Sequence, residues 1–276
     1  MRKQKKILNT VIFVFLTLGS IVMLFPLIWM ILTSFKPKMH VYLDGLWPKV
    51  WDISSYKQIW EEIPLIRGFF NSILYAVPPI IIGTFVSIAA AYSFAKIRFK
   101  GRDILFIILL INLMVPYPSI MVTQFVMFSN WNMLDGPWPL IIPKLCGNVS
   151  MIFFLRQYIY NLPEATLDAA KIDGANHWGI FKDIIVPMVK PAAIAHGVLW
   201  FIAAWNDYLA PTILIKNPDW QPATVMIAKF NEQYAINTHV PRIMAGSVLL
   251  LIPVLIIYGF TQKYIIGSFM FAGVKG

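Results

Sequence analysis

Cysteine occurs once, at Cys146, so no disulfide can close within the chain and a cysteine-based metal site is excluded. Charge is almost as scarce: Lys, Arg, Asp and Glu make up 13% of the residues, where soluble domains carry about a quarter. The four histidines, His40, His177, His196 and His239, show no spacing such as His-Glu-x-x-His, so no metal is expected. No Gly-x-x-x-x-Gly-Lys-Ser/Thr loop is present to cradle phosphates, and no motif brings a nucleophile to a base. The chain is therefore expected to have no catalytic residues, no ATP hydrolysis of its own and no bound cofactor.

What fills it instead is apolar. Hydrophobic residues reach 58% and the mean hydropathy is +0.68. A net charge of +10 would suit nucleic acid in a soluble protein. In a chain this apolar, basic residues belong on cytoplasmic loops, so lipid is expected around it and nucleic acid is not. Hydrophobic runs at about 8–35, 68–95, 104–128, 138–158, 185–209 and 243–262 predict an all-α bundle of six transmembrane helices, forming a single domain over 1–276. The first run carries no charge and no alanine, so it offers no small-residue cleavage site and reads as an uncleaved span. Several spans contain prolines, which a packed bundle tolerates because neighbouring helices re-satisfy the freed carbonyls.

Lys and Arg set the orientation. One set of loops and ends, including Arg2–Lys6, Lys96–Arg102 and the segment from Arg156 to Lys190, holds fourteen basic residues against eight on the other side. Both termini and the 161–187 loop are thus expected in the cytoplasm.

That loop is polar and helix-forming. Pro163-Glu164 is a helix start, with the acidic side chain in the first turn, where it favours the dipole. Gly174 suits the left-handed residue that ends a helix, and Asn176 is a good N-cap for a second short helix from Trp178 to about Ile184. The result is a helix-turn-helix outside the bilayer. Ala169 and Ala170 let a partner surface approach the backbone, while Asp168 and Asp173 offer it carboxylates.

The spacing Asp168-Ala169-Ala170, three residues, Gly174, nine residues, Ile184, one residue, Val186, Pro187 resembles the loop by which membrane subunits of bacterial ABC importers grip their ATPase. The family pattern has Glu and Leu where this chain has Asp168 and Val186. Asn71-Ser-Ile-Leu-Tyr75, Ala90-Ala-Tyr-Ser-Phe-Ala95, Phe154-Leu-Arg-Gln157 and Trp205-Asn-Asp-Tyr-Leu209 are similar to the carbohydrate branch of these permeases. The ending Ala272-Gly-Val-Lys-Gly276 is similar to that of the second membrane subunits of maltose-type importers.

The resemblance implies a multi-pass permease of the bacterial inner membrane that forms half of a sugar pathway. Its partners would be a second homologous permease, two ATPase subunits carrying ATP and Mg, and an extracytoplasmic solute-binding protein. It also implies that Glu164, Asp168, Ala169, Ala170, Asp173, Gly174 and Ala175 couple to the ATPase, and that Gly273, Val274, Lys275 and Gly276 reach into the ATPase dimer.

Polar groups at membrane depth are the pathway candidates, because lipid burial is costly for them. Trp205, Asn206, Asp207 and Tyr208, near the outer end of the fifth span, combine a ring for stacking with hydrogen-bonding groups suited to sugar hydroxyls. Asn112, Tyr117, Gln124 and Asn148 are candidate cavity-lining residues, and Lys144 either snorkels to the outer interface or faces the pathway. His196 is expected to make a helix-packing hydrogen bond. A permease for a glycerophosphodiester or polyol-like solute is the nearest alternative. A proton-coupled carrier would need internal repeats and buried acids, and among the span residues only Asp207 is acidic.

Overall fold

The computed structural model describes the backbone of residues 2–233 and 239–273 and the side chains of 6–230 and 239–264. Among the described residues every regular element is helical. In chain order they are α1 (Arg2–Ser34), α2 (Ser54–Glu62), α3 (Leu65–Lys96), α4 (Arg102–Ile111), α5 (Tyr117–Asn130), α6 (Trp138–Leu145) and α7 (Val149–Tyr160). Then follow α8 (Glu164–Ile172), α9 (His177–Gly179), α10 (Val186–Trp205), α11 (Leu209–Leu214), α12 (Ala223–Gln233) and α13 (Val240–Gly273). Among the described residues, five stretches are long and apolar enough to cross a membrane: Lys6–Ser34, Leu65–Lys96, Trp138–Tyr160, His177–Trp205 and Val240–Tyr264. A bent pair, Arg102–Met114 with Tyr117–Asn130, would make a sixth. The chain is an all-α, multi-span membrane protein.

The run expected as one straight helix at 104–128 is therefore two, bent by 99°. Pro116 explains the break. The residue before a proline is pushed out of the helical region, and Val115 is extended at φ −84, ψ 119. Pro116 itself supplies no N–H, and α5 starts immediately after it.

The fifth run also differs from expectation. Instead of a short helix followed by a span over 185–209, the chain stays helical from His177 to Trp205. Between α9 and α10 lies a π-helical segment, Ile180–Ile185, in which the Val186 N–H reaches Phe181 O five residues back. This register shift ends just before Pro187, whose missing donor would otherwise interrupt an α-helical ladder there.

The chain divides into two compact units. The first comprises Met1–Leu65 and Met226–Ile252. In α1, residues 6–26 are exposed throughout, and burial begins only at Leu32. The Phe35 ring lies 5.2 Å from Tyr56 and 5.7 Å from Trp51, and Ser34 Oγ is 2.7 Å from the Tyr56 hydroxyl. Lys36, almost wholly buried, donates from Nζ to Gly45 O at 2.6 Å. Asp52 turns the chain into α2 by accepting from the backbone N–H and hydroxyl of Ser54, both at 2.8 Å. Gly246 lets α13 approach α12, since a Cβ there would stand 2.6 Å from Ile227 Cγ2.

The second unit comprises Ile66–Val225 and Pro253–Gly276. Its largest apolar cluster joins Ile88, Ala91 and Tyr92 of α3, Met151, Leu155 and Ile159 of α7, and Ile185, Val189 and Ala192 of the fifth span. The start of α3 is tied to the segment before α12. Arg67 pairs with Asp219, Asn71 Nδ2 donates to the carbonyls of Asp219 and Gln221 at 2.9 and 3.0 Å, and Ser72 Oγ accepts from Ala223 N–H.

Candidate functional site

The loop begins where expected. Pro163 is extended at φ −57, ψ 124, and α8 starts at Glu164. It ends by two backbone bonds, Gly174 N–H to Lys171 O at 3.0 Å and Ala175 N–H to Ala170 O at 2.9 Å. Those are the two bonds of a Schellman motif, and Gly174 at φ +83 supplies the left-handed residue that it requires. Ala170 and Ala175, the residues brought together by that closure, both pack against the largest apolar cluster. Asn176 accepts from Gly179 N–H at 2.8 Å and so caps the next helical turn.

The same closure fixes what faces outward. Leu167 is the one buried residue of α8, whereas Glu164, Asp168, Ala169 and Asp173 are exposed, as is Ile172. The Asp168 carboxylate accepts from Lys171 Nζ at 2.9 Å, and this bond raises the lysine's pKa. Lys96, the last residue of α3, braces the loop from below by donating to Tyr160 O and Leu162 O at 3.5 and 3.4 Å. Its Nζ also stands 3.8 Å from the Glu164 carboxylate. Tyr92 OH lies 3.4 Å from His177 Nδ1, and Phe85 meets both Trp178 and Phe181 edge-on. These contacts of Lys96, Tyr92 and His177 are not expected from the sequence. Their partners are 64 to 85 residues away, so only a basic residue at the end of a span hinted at any of them.

The pathway candidates fall into separate environments. Trp205 is buried, its ring stacked 6.0 Å from Phe69 and 5.5 Å from Phe201. Asn206 is exposed, and Asp207 Oδ1 accepts from Ala210 N–H at 3.1 Å, which starts α11. Tyr208 is exposed. Lys144 donates from Nζ to Tyr75 O at 3.0 Å, and α5, α6 and α11, which carry or follow Tyr117, Lys144 and Asp207, share one apolar cluster at Met121, Leu140 and Leu214. Tyr117 OH donates to Gln124 Oε1 at 3.2 Å, while Asn112 is exposed near the bend between α4 and α5. Thus Lys144, Asp207, Tyr117 and Gln124 are drawn into one polar neighbourhood.

Asn148 is placed elsewhere. Its side chain caps α7 through Met151 N–H at 2.9 Å, and its own N–H donates to Ser87 Oγ at 2.9 Å. His196 Nε2 is 3.1 Å from Ser150 Oγ, a helix-packing contact. Of the tail, Gly273 is the last residue of α13, and Val274, Lys275 and Gly276 lie outside the described residues.

Residues 83–268 match the family model for binding-protein-dependent transport system inner membrane components. The chain is 32% identical over 267 residues to the arabinooligosaccharides transport system permease protein AraQ of Bacillus subtilis, covering 95% of this chain and 94% of that protein. It is 29% identical over 280 residues to the AraQ protein of Halalkalibacterium halodurans, covering 100% and 99%. With the diacetylchitobiose uptake system permease protein NgcG of Streptomyces coelicolor the identity is 27%, over 92% of this chain and 84% of that one. Among solved structures, a chain of a bacterial ABC transporter involved in the import of the acidic polysaccharide alginate superposes with a TM-score of 0.78 at 24% identity, covering 95% of this chain and 97% of the other. At that identity the likeness establishes a shared fold.

Proposed function

The chain belongs to the family of binding-protein-dependent transport system inner membrane components, and we propose that it couples to its ATPase through the 161–187 loop while lining half of a sugar pathway. It is a permease subunit of an ABC importer of the carbohydrate class. The pathway's other half comes from a second homologous permease. Two ATPase subunits bring ATP and Mg, and a solute-binding protein delivers an oligosaccharide or related sugar from outside. Both termini and the loop face the cytoplasm of the bacterial inner membrane, and the tail 273–276 reaches the ATPase dimer.

The observation that carries the coupling role is the closure of α8. Its apolar side is committed to the chain's own core at Leu167 and Ala170, while Glu164, Asp168, Ala169 and Asp173 point away from it. Such a face, small at Ala169 and acidic at its flanks, suits a groove with basic or amide groups. Sugar contacts fall to Asn206, Asp207, Tyr208 and the neighbourhood of Lys144, Tyr117 and Gln124, with Asn112 at its edge. Trp205 and Asn148 serve the same end from behind, by holding the helices.

Gly174→Pro, or Ala169→Trp on the exposed face, tests the coupling role in the assembled importer. Each should reduce ATPase capture and sugar uptake together. Unchanged capture and uptake in both variants would remove the loop from this role.

A further inference from the structure

We infer that the chain carries a binding site for the phosphate of an anionic phospholipid, built where α3, α7, α8 and α9 meet. A cavity of 470 Å³ opens there, with Lys96, Arg98, Arg102, Lys171 and His177 among its lining residues. Tyr92 and Tyr160 belong to the same wall. Glu164 and Asp168 also line it, but their charges are directed at Lys96 and Lys171 respectively. Arg102 Nε is 3.0 Å from the largely exposed Asp103 carboxylate. Arg98 has no hydrogen-bond or ion-pair partner among the described residues, and so its guanidinium is open to a ligand.

A second cavity of 370 Å³, lined by Arg98, Phe99, Gly101, Arg102, Asp103 and Ile104, adjoins the first. The two arginines are common to both. Each arginine common to both cavities carries a planar guanidinium, whose forked donors match the oxygens of a phosphate.

Depth decides between a lipid phosphate and a soluble one. Lys96 ends one membrane-spanning helix and Arg102 begins the next apolar stretch, which puts Arg98 and Arg102 at the level of lipid headgroups. From that point Ile104, Ile107, Ile108 and Ile111 of α4 present exposed apolar side chains. A headgroup phosphate on the arginines would leave its acyl chains lying along this face. A soluble phosphate would make no use of it.

Titration of the full-length chain in neutral detergent with phosphatidylglycerol, read by native mass spectrometry against phosphatidylcholine of the same acyl chains, tests the site. Phosphatidylglycerol should bind preferentially, and Arg98→Gln with Arg102→Gln should weaken it about 30-fold. Lys100→Gln, in the same loop but outside both cavities, should weaken it much less. The charge-keeping pair Arg98→Lys and Arg102→Lys should retain a clear preference, which distinguishes a lost site from a misfolded chain. Equal losses in the Lys100 and double-arginine variants would overturn the site in favour of diffuse attraction. Displacement of the lipid by millimolar inorganic phosphate would overturn the lipid as occupant.

Discussion

The backbone carbonyl of Lys144 occupies the space that a side chain at Gly83 would need. A Cβ on Gly83 would stand 2.2 Å from that oxygen and 2.7 Å from Trp200 Cη2. Gly83 O in turn accepts from Ser87 Oγ, which accepts from Asn148 N–H, so α3, α6 and the start of α7 share one tight crossing. The contact also sets the height of Lys144, whose Nζ reaches back to Tyr75 O on α3.

Gly83→Ala should therefore destabilise the chain by roughly 1–3 kcal/mol, because a backbone oxygen cannot rotate away as a side chain would. Gly197→Ala is the control. Its nearest neighbour would be Thr84 Oγ1 at 3.9 Å, an ordinary contact, so its thermal unfolding in detergent should stay near the wild type. Equal melting temperatures for both variants would contradict the crossing.

Acidification should loosen the loop between α1 and α2. The Asp44 carboxylate accepts from Lys49 N–H at 2.9 Å, and this bond, reinforced by His40, holds its pKa below the ordinary 3.8. A folded-state value lower than the unfolded one gives stabilisation that is full above the ordinary carboxylate value. It is lost as pH falls through the folded value. Fluorescence of Trp47 and Trp51, both exposed in this loop, should therefore change only below about pH 4. Asp44→Asn should abolish that transition, and its persistence would mean that another group titrates.

The division of labour between sequence and structure follows the range of each interaction. The start at Glu164, the turn at Gly174 and the cap at Asn176 were legible because capping chemistry acts within about four residues. Spans were legible as apolar runs, but hydropathy does not count hydrogen bonds. It passed over Val115-Pro116, where an extended residue bends the third run, and over Pro187, where the π register keeps the fifth one helical. Trp205 in a polar cluster suggested an open aromatic. Only the approach of Phe69, 136 residues away in the chain, turns it into packing. Arg98 and Arg102 could be seen as basic residues setting the orientation. That they line the larger cavity depends on α7 and α8 folding back to complete its wall.

The proposed orientation gives a labelling pattern. In a Cys146→Ser background, an impermeant thiol reagent outside the cell should reach Tyr42→Cys, which is 85% exposed, but not Ile172→Cys, which is 86% exposed. Similar exposure in the two positions means that shielding within the chain cannot make the difference. External labelling of Ile172→Cys would reverse the topology and with it the coupling role of the loop.

The Trp205 end of the fifth span should separate packing from transport. Trp205 lies between two rings, so Trp205→Ala removes a buried indole and should cost about 3–5 kcal/mol, with low yield of assembled complex. Asp207→Ala loses the hydrogen bond from Ala210 N–H at the start of α11, so a modest loss of about 0.5–2 kcal/mol should accompany a larger drop in uptake. Asn206 is exposed and its side chain caps nothing among the described residues. Asn206→Ala should therefore leave assembly intact and lower uptake only if the side chain meets sugar. Uptake normalised to purified complex distinguishes these effects. Normal specific uptake in the Asp207 and Asn206 variants would place the sugar path elsewhere, while Trp205→Ala with full assembly and poor uptake would return the indole to the path.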